Sequence, residues 1–245
     1  MSGYFYNGTG KVHLRPYATP TAPLRYVGNT ETVKIGIAEK SEKLEDTDSP
    51  GGGVLSSFSR ITGATFTLVL KDLRPENLAL ALGGEATDIA AGSSTDEVVT
   101  ARTGGLVLLA KSGAASVVVK SQDGLTTYNA ETDYVVSGAG ITIPEASSID
   151  DGDSLKVSYT YPKQADVQAM LTSGREMFLL FEGVNNAMDG KPLNVYVWRV
   201  KFGAAKERDY KGDKFATLEL TGELLMDPNQ TGDGISKYFK EQAVL

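Results

Sequence analysis

The sequence contains no cysteine, one histidine and one tryptophan. The lack of cysteine excludes disulfides, thiolate metal sites and cysteine nucleophiles. A mechanism built on histidine would depend entirely on His13, for which we expect a structural or surface role. No spacing in the sequence places two carboxylates in one cleft. We therefore expect a protein that is not an enzyme and that holds no cofactor and no metal.

Long hydrophobic runs are also missing. The longest, such as residues 106–110, are far shorter than the roughly 20 residues that a membrane helix needs. The opening residues, MSGYFYNGTG, carry no basic segment followed by an apolar core, so we expect no signal peptide. These features predict a soluble protein made in a cytoplasm, with no membrane partner.

The glycine-rich and acidic turns lack the residues that would make them ligand sites. Residues 51–53 are three glycines followed by Val54 and Leu55, not by the lysine and the serine or threonine of a phosphate-binding loop. Residues 150–153, DDGD, lack the alternating ligands and the closing glutamate of a calcium loop. We expect flexible or turn-forming segments at both places.

The charge is unevenly distributed along the chain. The net charge is -7, and residues 85–161 hold eleven acidic and four basic residues, whereas the remainder holds twenty of each. An acidic middle between balanced flanks is typical of an inserted module. Acidity without a basic patch disfavours a nucleic-acid-binding protein. The sequence predicts a discontinuous core domain (1–84 and 162–245) and an inserted β-rich domain (85–161).

Alternation of apolar and polar residues predicts a mainly β fold. In residues 32–38, for example, Val33, Ile35 and Ile37 share one face of a strand. The other expected strands lie at residues 12–17, 24–27, 54–61, 65–71, 116–120, 134–136, 141–143, 154–161 and 176–181. Near the end of the chain, LNVYVWRVKF (193–202) and FATLELTGELLMDP (215–228) predict two long antiparallel strands joined by a polar loop.

The remaining segments predict two helices, one loop and two arms. Residues 72–82 have the apolar stripe of a helix, with Asp72 as the expected N-cap and glycines after the end. Residues 162–171 space their apolar side chains as a second short helix would. Residues 39–53 are charged, without hydrophobic spacing, and predict a long mobile loop. The two ends, 1–10 and 229–245, are expected to be arms that become ordered on a partner.

The order of these elements resembles that of the major tail tube proteins of long-tailed bacteriophages. The resemblance rests on the strand, charged loop and returning strand around residues 39–53, the short helix that follows, and the late pair LNVYVWRVKF and FATLELTGELLMDP. It covers residues 1–84 and 162–245 and implies a β-sandwich or barrel with one short flanking helix. Residues 85–161 resemble the sandwich-like, outward-facing modules that are common in phage structural proteins.

The resemblance implies a structural protein of the virion. Such a protein assembles as homohexameric rings that stack into the phage tail tube, the conduit for DNA ejection into the host. Its partners would be further copies of itself and the other tail proteins: the tape measure, the tail terminator and the baseplate or tip. Phage DNA would pass through the lumen without specific binding.

Inter-subunit contacts are expected at the arms and at the charged loop. Aromatic residues on flexible ends favour a partner surface, and the loop would supply contacts between rings. The candidate residues are Tyr4, Tyr6, Glu42, Asp46, Gly51, Gly52, Gly53, Tyr238 and Phe239.

Two other function classes remain open. One is a tube protein like that of type VI secretion systems, against which the acidic insertion argues, because that tube has a smooth exterior inside a sheath. The other is a phage decoration protein or adhesin, in which residues 85–161 would be the working part. Deletion of the insertion separates the tube protein from the adhesin.

Overall fold

The computed structural model describes residues 4–244 of this mainly β protein, with 53% of residues in strands and 4% in helical conformation. The predicted mainly β class with a short α-helix is confirmed. The described strands form several sheets, and none of these closes into a barrel. Contacts divide the chain into two compact units. The core unit runs up to Ala86 and again from Val167, and the inserted unit spans Thr87–Asp166.

In the chain, the strands of the insertion form one block between the two groups of core-unit elements. In chain order they are β1 (Gly8–Pro16), β2 (Arg25–Tyr26), β3 (Thr30–Glu45), β4 (Val54–Leu70), α1 (Pro75–Ala81), β5 (Glu85–Ile89), β6 (Gly92–Thr100), β7 (Gly105–Leu108), β8 (Ala115–Ser121), β9 (Val135–Ser137), β10 (Gly140–Ile143), β11 (Ser154–Tyr161), β12 (Gln164–Gln168), β13 (Arg175–Asn185), β14 (Lys191–Phe202), β15 (Leu218–Leu224) and β16 (Phe239–Ala243). A 3₁₀ turn, Asn186–Met188, joins β13 to β14.

The core unit is built on one antiparallel sheet with the strand order β2-β1-β13-β14-β15-β4-β3, and β16 also pairs with β14. Along each strand, every second side chain points to the same face of the sheet, and the side chains on that face are buried in the hydrophobic core. In the register of β15 against β4, Leu218 lies opposite Leu70 and Leu220 opposite Leu68, and all four are fully buried. This row is the centre of the hydrophobic core.

Helix α1 forms where it was predicted but begins differently. Its N-cap is Arg74, which makes no side-chain capping bond. The expected cap, Asp72, instead accepts two hydrogen bonds from the Arg74 guanidinium, at 2.9 and 2.7 Å. The predicted cap was therefore wrong, because Pro75 fixes the first helical position and sets the start two residues later. The chain leaves the helix through Gly83, whose φ is +59°.

Nearly half of the predicted charged loop, residues 39–45, is strand. β3 continues through Glu45 and β4 begins at Val54, so only residues 46–53 connect them. The two predicted strands within residues 54–71 are likewise one continuous strand. The prediction failed because a solvated two-stranded ribbon buries neither face, so its residues need no hydrophobic alternation. Backbone pairing between β3 and β4 maintains it instead.

Both predicted strands of the hairpin near the end of the chain form, as β14 and β15, and they are antiparallel, but their pairing is short. β14 and β15 pair only over Val200–Phe202 and Gly222–Leu224. The rest of β14 pairs with β13 on one edge and with β16 on the other. The predicted arm at 229–245 was thus wrong for Phe239–Ala243. That segment has few apolar residues, but its backbone completes the edge that β15 leaves free.

The second predicted helix, 162–171, is also wrong, because Gln164–Gln168 forms strand β12, which pairs with β5. Its helix-like stripe is not buried: Met170 is 92% exposed and has a φ of +60°. The backbone N–H groups of Met170 and Leu171 donate to the carbonyls of Leu82 and Gly83 rather than to carbonyls one helical turn earlier. Three apolar residues at helical spacing are too weak a signal to outweigh strand pairing.

The inserted unit has its own core between two three-stranded sheets, β7-β10-β9 and β6-β11-β8. Strand β11 matches its prediction, with Leu155, Val157 and Tyr159 buried and alternating with less buried residues. Strands β5, β6 and β7 were not predicted, because β5 and β6 are polar and β7 is only four residues long. The sequence placed the insertion at 85–161, and the contacts place the inserted unit at Thr87–Asp166.

Candidate assembly surface

The most exposed part of the core unit is the far half of the β3–β4 hairpin, residues 38–63, which we call the arm. β4 pairs with β15 only over Thr65–Leu70, and β3 is the last strand of the sheet. Within the described sheet, both edges of the arm are therefore unpaired. At about 3.3 Å per residue, the eight β3 residues of the arm extend roughly 26 Å.

Large apolar side chains lie on both faces of the arm. Phe58 lies opposite Glu42, and Leu44 opposite Ser56, so Leu44 and Phe58 share one face. Ile61 lies opposite Glu39 on the other face. Each of these apolar side chains is more than half exposed, and so are two more near the tip. The exposed fractions are Leu44 62%, Phe58 64%, Ile61 69%, Val54 55% and Leu55 65%. A concentration of exposed apolar groups on an unpaired ribbon is typical of a partner surface.

The tip of the arm, residues 46–53, contains four of the predicted contact residues: Asp46 and the three glycines. Asp46 accepts hydrogen bonds from the backbone N–H groups of Asp48 and Ser49, at 2.8 and 3.2 Å. Hydrogen bonds from Ser49 and from the Asp48 backbone lower the pKa of Asp46. The Asp46 N–H also donates to the Gly53 carbonyl at 2.7 Å, which closes the loop.

The three tip glycines leave open space around them. A Cβ added at Gly51, Gly52 or Gly53 would meet no atom within 4 Å. Gly52 and Gly53 have positive φ values, +59° and +147°, which β-branched and bulky residues avoid. The backbone conformation of the turn, and not packing, therefore favours glycine at positions 52 and 53. Glu42, another predicted contact, lies halfway along the arm, where Lys40 Nζ is 2.6 Å from its carboxylate.

A groove of about 910 Å³ runs along the near half of β3, within the core unit. Its walls are about equally polar and apolar, and the apolar part comes from the edge strand and the strands facing it. They include Ile35, Phe66, Phe181, Val195 and Phe239. The groove therefore combines an unpaired strand edge with an apolar floor.

The N-terminal residues Tyr4 and Tyr6 line one side of this groove. Their backbone is fixed by the buried Asn185, whose amide donates to the Phe5 carbonyl at 2.7 Å and whose oxygen accepts from the Asn7 N–H at 3.0 Å. Burial and the nearby Glu241 carboxylate raise the pKa of Tyr6. Tyr4 and Tyr6 remain 46% and 52% exposed. The N-terminal segment 1–10 was predicted to become ordered only on a partner, but residues 8–10 belong to strand β1, and residues 1–3 lie outside the described range.

Tyr238 and Phe239 do not lie on a flexible C-terminal segment, although the sequence predicted one at 229–245. Both are half buried and pack against the core cluster, and Phe239 pairs with Val197 in the sheet. The structure thus brings Tyr4, Tyr6 and Phe239 to one groove and places Glu42, Asp46 and the tip glycines on the arm. The sequence analysis missed the apolar residues of the arm, although VLSSFSRI directly after three glycines carried the signal.

A family model with the description "Protein of unknown function UCP028589" matches residues 5–242. The chain belongs to this family. The matched range includes the arm and the whole inserted unit. No curated protein matches the chain.

Other kinds of site have less support in this family member. Among the described residues, no group of three or more histidine, aspartate or glutamate side chains is arranged to hold a metal ion. Over the same residues, no helix is both long and apolar enough to span a membrane. The arm, with its unpaired strand edges and exposed apolar side chains, and the groove beside β3 are the candidate partner surfaces of the core unit.

Proposed function

We propose that this chain is a major tail tube protein of a long-tailed bacteriophage, whose copies form homohexameric rings that stack into the conduit for DNA ejection. The observation that carries the proposal is the arm, which has two unpaired edges and apolar side chains on both faces. The role is architectural, in the virion, without catalytic turnover.

Ring closure accounts for the unpaired edges. An exposed strand edge is a template for pairing with another chain, and an open series of such pairs aggregates. Identical copies related by rotation place each arm beside the next, and a closed ring leaves no edge unpaired. The apolar residues of the arm, such as Leu44 and Phe58, are then covered by neighbouring copies.

Stacking of rings needs a second, heterologous contact. The groove beside β3, which Tyr4 and Tyr6 line, lies at the near half of the hairpin, away from the arm tip. It therefore offers a separate surface. A heterologous contact that does not close by rotation generates a filament. The ends of such a tube would bind the other tail proteins: the tape measure, the tail terminator and the baseplate or tip.

The charge of the hairpin suits a DNA conduit. Strands β3 and β4 contain four acidic and four basic residues, and Asp46 and Asp48 add negative charge at the tip. A basic wall would bind the dense phosphate charge of duplex DNA, whereas a neutral or acidic wall lets it pass. We expect the lumen to have no net positive charge. A determined tube with a lumen dominated by lysine and arginine would contradict this.

The test is negative-stain electron microscopy of the purified protein over a concentration series, with the mass measured by light scattering. We expect six-fold rings or tubes. A monodisperse monomer at every concentration would count against the proposal.

A matched pair of variants tests the arm itself. Leu44→Ser with Phe58→Ser removes the apolar groups from one face of the arm, and we expect it to abolish rings while leaving a folded monomer. Phe215→Ser, at a fully exposed site in the loop between β14 and β15, is the control and should assemble normally. Assembly of the arm variant at the wild-type concentration would show that the arm is not the contact.

A further inference from the structure

The outer face of the core sheet, opposite the hydrophobic core, carries cations and aromatic rings. Four strands form it, in the order β1-β13-β14-β16. The solvent face of an antiparallel sheet is ordinarily polar, so this composition needs an explanation. We call this face the platform; its residues are Lys11, His13, Arg15, Phe178, Leu180, Glu182, Tyr196, Trp198 and Lys240.

Aromatic rings form a stacked row across the platform. The rings of Tyr196 and Trp198 are 6.0 Å apart at 26°, and those of Phe178 and Trp198 are 6.2 Å apart. The Arg15 guanidinium lies 4.6 Å from the Phe178 ring, and Lys240 Nζ lies 4.8 Å from Tyr196. The cations cover the ring faces, so the row holds positive charges in place and has little room to stack on a ligand ring.

The positive charge of the platform is not neutralised locally. Among the described residues, Lys11, Arg15 and Lys240 form no ion pair. The one carboxylate on the platform, Glu182, lies 3.1 Å from His13 Nε2. A chain with a net charge of -7 therefore has one face with a surplus of fixed cations.

The inserted unit offers the opposite charge. Thr87–Asp166 holds eleven acidic and five basic residues. The turn at 150–153 and Asp123 lie at the same end of this unit, because the Asp150 N–H donates to the Asp153 carboxylate at 3.3 Å and Ser154 Oγ donates to Gln122 Oε1 at 2.8 Å. Burial and the charges of Asp153, Asp133, Asp150 and Asp123 raise the pKa of Tyr128. Asp123 and Asp150 in this group are exposed. This end of the inserted unit is thus a concentrated negative surface on the same chain that carries the platform.

We propose that the platform docks the acidic inserted unit of a second copy of this chain. The inference rests on the self-assembly proposed above, and it assigns a partner to a face that the arm and the groove do not use. A second copy is favoured over nucleic acid for two reasons. The platform rings are already covered by cations, and the net negative charge of the protein repels a polyanion.

Charge reversal on each side tests the contact in the full-length protein. Lys11→Glu with Lys240→Glu makes the platform acidic, and Asp123→Lys with Asp150→Lys makes the end of the inserted unit basic. Each double variant should weaken association by about tenfold or more, because like charges then meet. The quadruple variant, which exchanges the two signs, should restore association to near the wild-type level. Lys211→Glu with Lys214→Glu, on the exposed loop between β14 and β15, is the matched charge control and should have no such effect.

The outcomes separate this inference from the proposed function. Association is measured by light scattering at low and high salt, after circular dichroism confirms that each variant is folded. If the wild type forms rings and the double variants associate equally well, the platform contact is wrong and the tube proposal stands. Failure of the quadruple variant to recover also overturns the contact. Binding of a duplex DNA oligonucleotide that Lys11→Glu with Lys240→Glu abolishes, with assembly unchanged, would assign the platform to nucleic acid. A wild type that stays monomeric overturns both proposals.

Discussion

Phe66 on β4 and Phe202 on β14 meet edge to face, with ring centroids 6.1 Å apart and an interplanar angle of 81°. Both rings are buried, with 1% and 2% of their surface exposed. Phe66 is near the point at which β4 leaves the core to enter the arm. The contact therefore anchors the root of the arm in the sheet.

Truncation of this anchor should destabilise the core unit. Phe66→Ala removes a buried ring and leaves a cavity, which costs about 3–5 kcal/mol of unfolding free energy. Trp198, the single tryptophan, lies in the core unit, so urea unfolding followed by its fluorescence reports this unit alone. Phe215→Ala, at a fully exposed site in the loop between β14 and β15, is the control and should change stability by no more than about 0.5 kcal/mol. Equal losses for the two variants would mean that the buried Phe66 ring does not contribute more to stability than an exposed one.

Asn77 on α1 joins the helix to the start of the sheet. It is fully buried; its amide donates to the carbonyls of Val27 and Asp72 at 2.6 and 2.8 Å, and its oxygen accepts from Arg25 at 2.9 Å. Asn77→Ala leaves these groups without their partner and should cost about 1–3 kcal/mol. Chemical unfolding followed by Trp198 fluorescence measures the loss. Asn29→Ala, at an exposed site, should be neutral, and a neutral Asn77→Ala would show that water replaces the lost bonds.

Asp133 should make the inserted unit sensitive to acid. Its carboxylate accepts from the Asn129 N–H at 2.7 Å and from the Ser148 hydroxyl at 2.8 Å, and these bonds lower its pKa. Because the folded pKa is below the unfolded value, the stabilisation is complete above the unfolded pKa of about 4 and is lost as the pH falls through the folded pKa.

The measurement is the melting temperature of the inserted unit from pH 2 to 7, followed by circular dichroism. Asp133→Asn should lower it at neutral pH and flatten its decline in acid. Glu131→Gln, at an exposed site nearby in the sequence, is the control and should keep the wild-type profile. An unchanged acid decline in Asp133→Asn would assign that decline to other carboxylates.

Deletion of the inserted unit should leave the core unit folded. Strands β5 and β12 pair with each other, so an Asn-Gly turn can replace Thr87–Asp166 and join their remaining ends. Each unit has its own buried cluster, and we expect the Trp198 unfolding curve to change little. Electron microscopy should still show rings, but at a concentration about tenfold or more above that of the wild type, because the platform contact is lost. Loss of rings at every concentration with a folded core would place the ring contact in the insertion, and loss of cell-surface binding alone would favour an adhesin.

The sequence by itself determined the features that depend on local alternation and composition. Leu155, Val157 and Tyr159 alternate with less buried residues in β11, and this period of two is sufficient to predict a half-buried strand. The helix around Pro75 was similarly fixed by a proline at its start and glycines at its end. The acidity of the insertion is a property of composition and needs no coordinates.

The tertiary structure alone decided the features that depend on pairing between distant segments. Residues 39–45 and Phe239–Ala243 are strands because β4 and β14 supply backbone partners, and such pairing leaves no mark in the apolar pattern of an exposed strand. On the platform, four residues from four different strands lie side by side: His13, Leu180, Tyr196 and Lys240. They are neighbours only because of the register in which these strands pair. Alternation fixes which residues of one strand share a face, whereas long-range hydrogen bonding fixes which strands share a sheet.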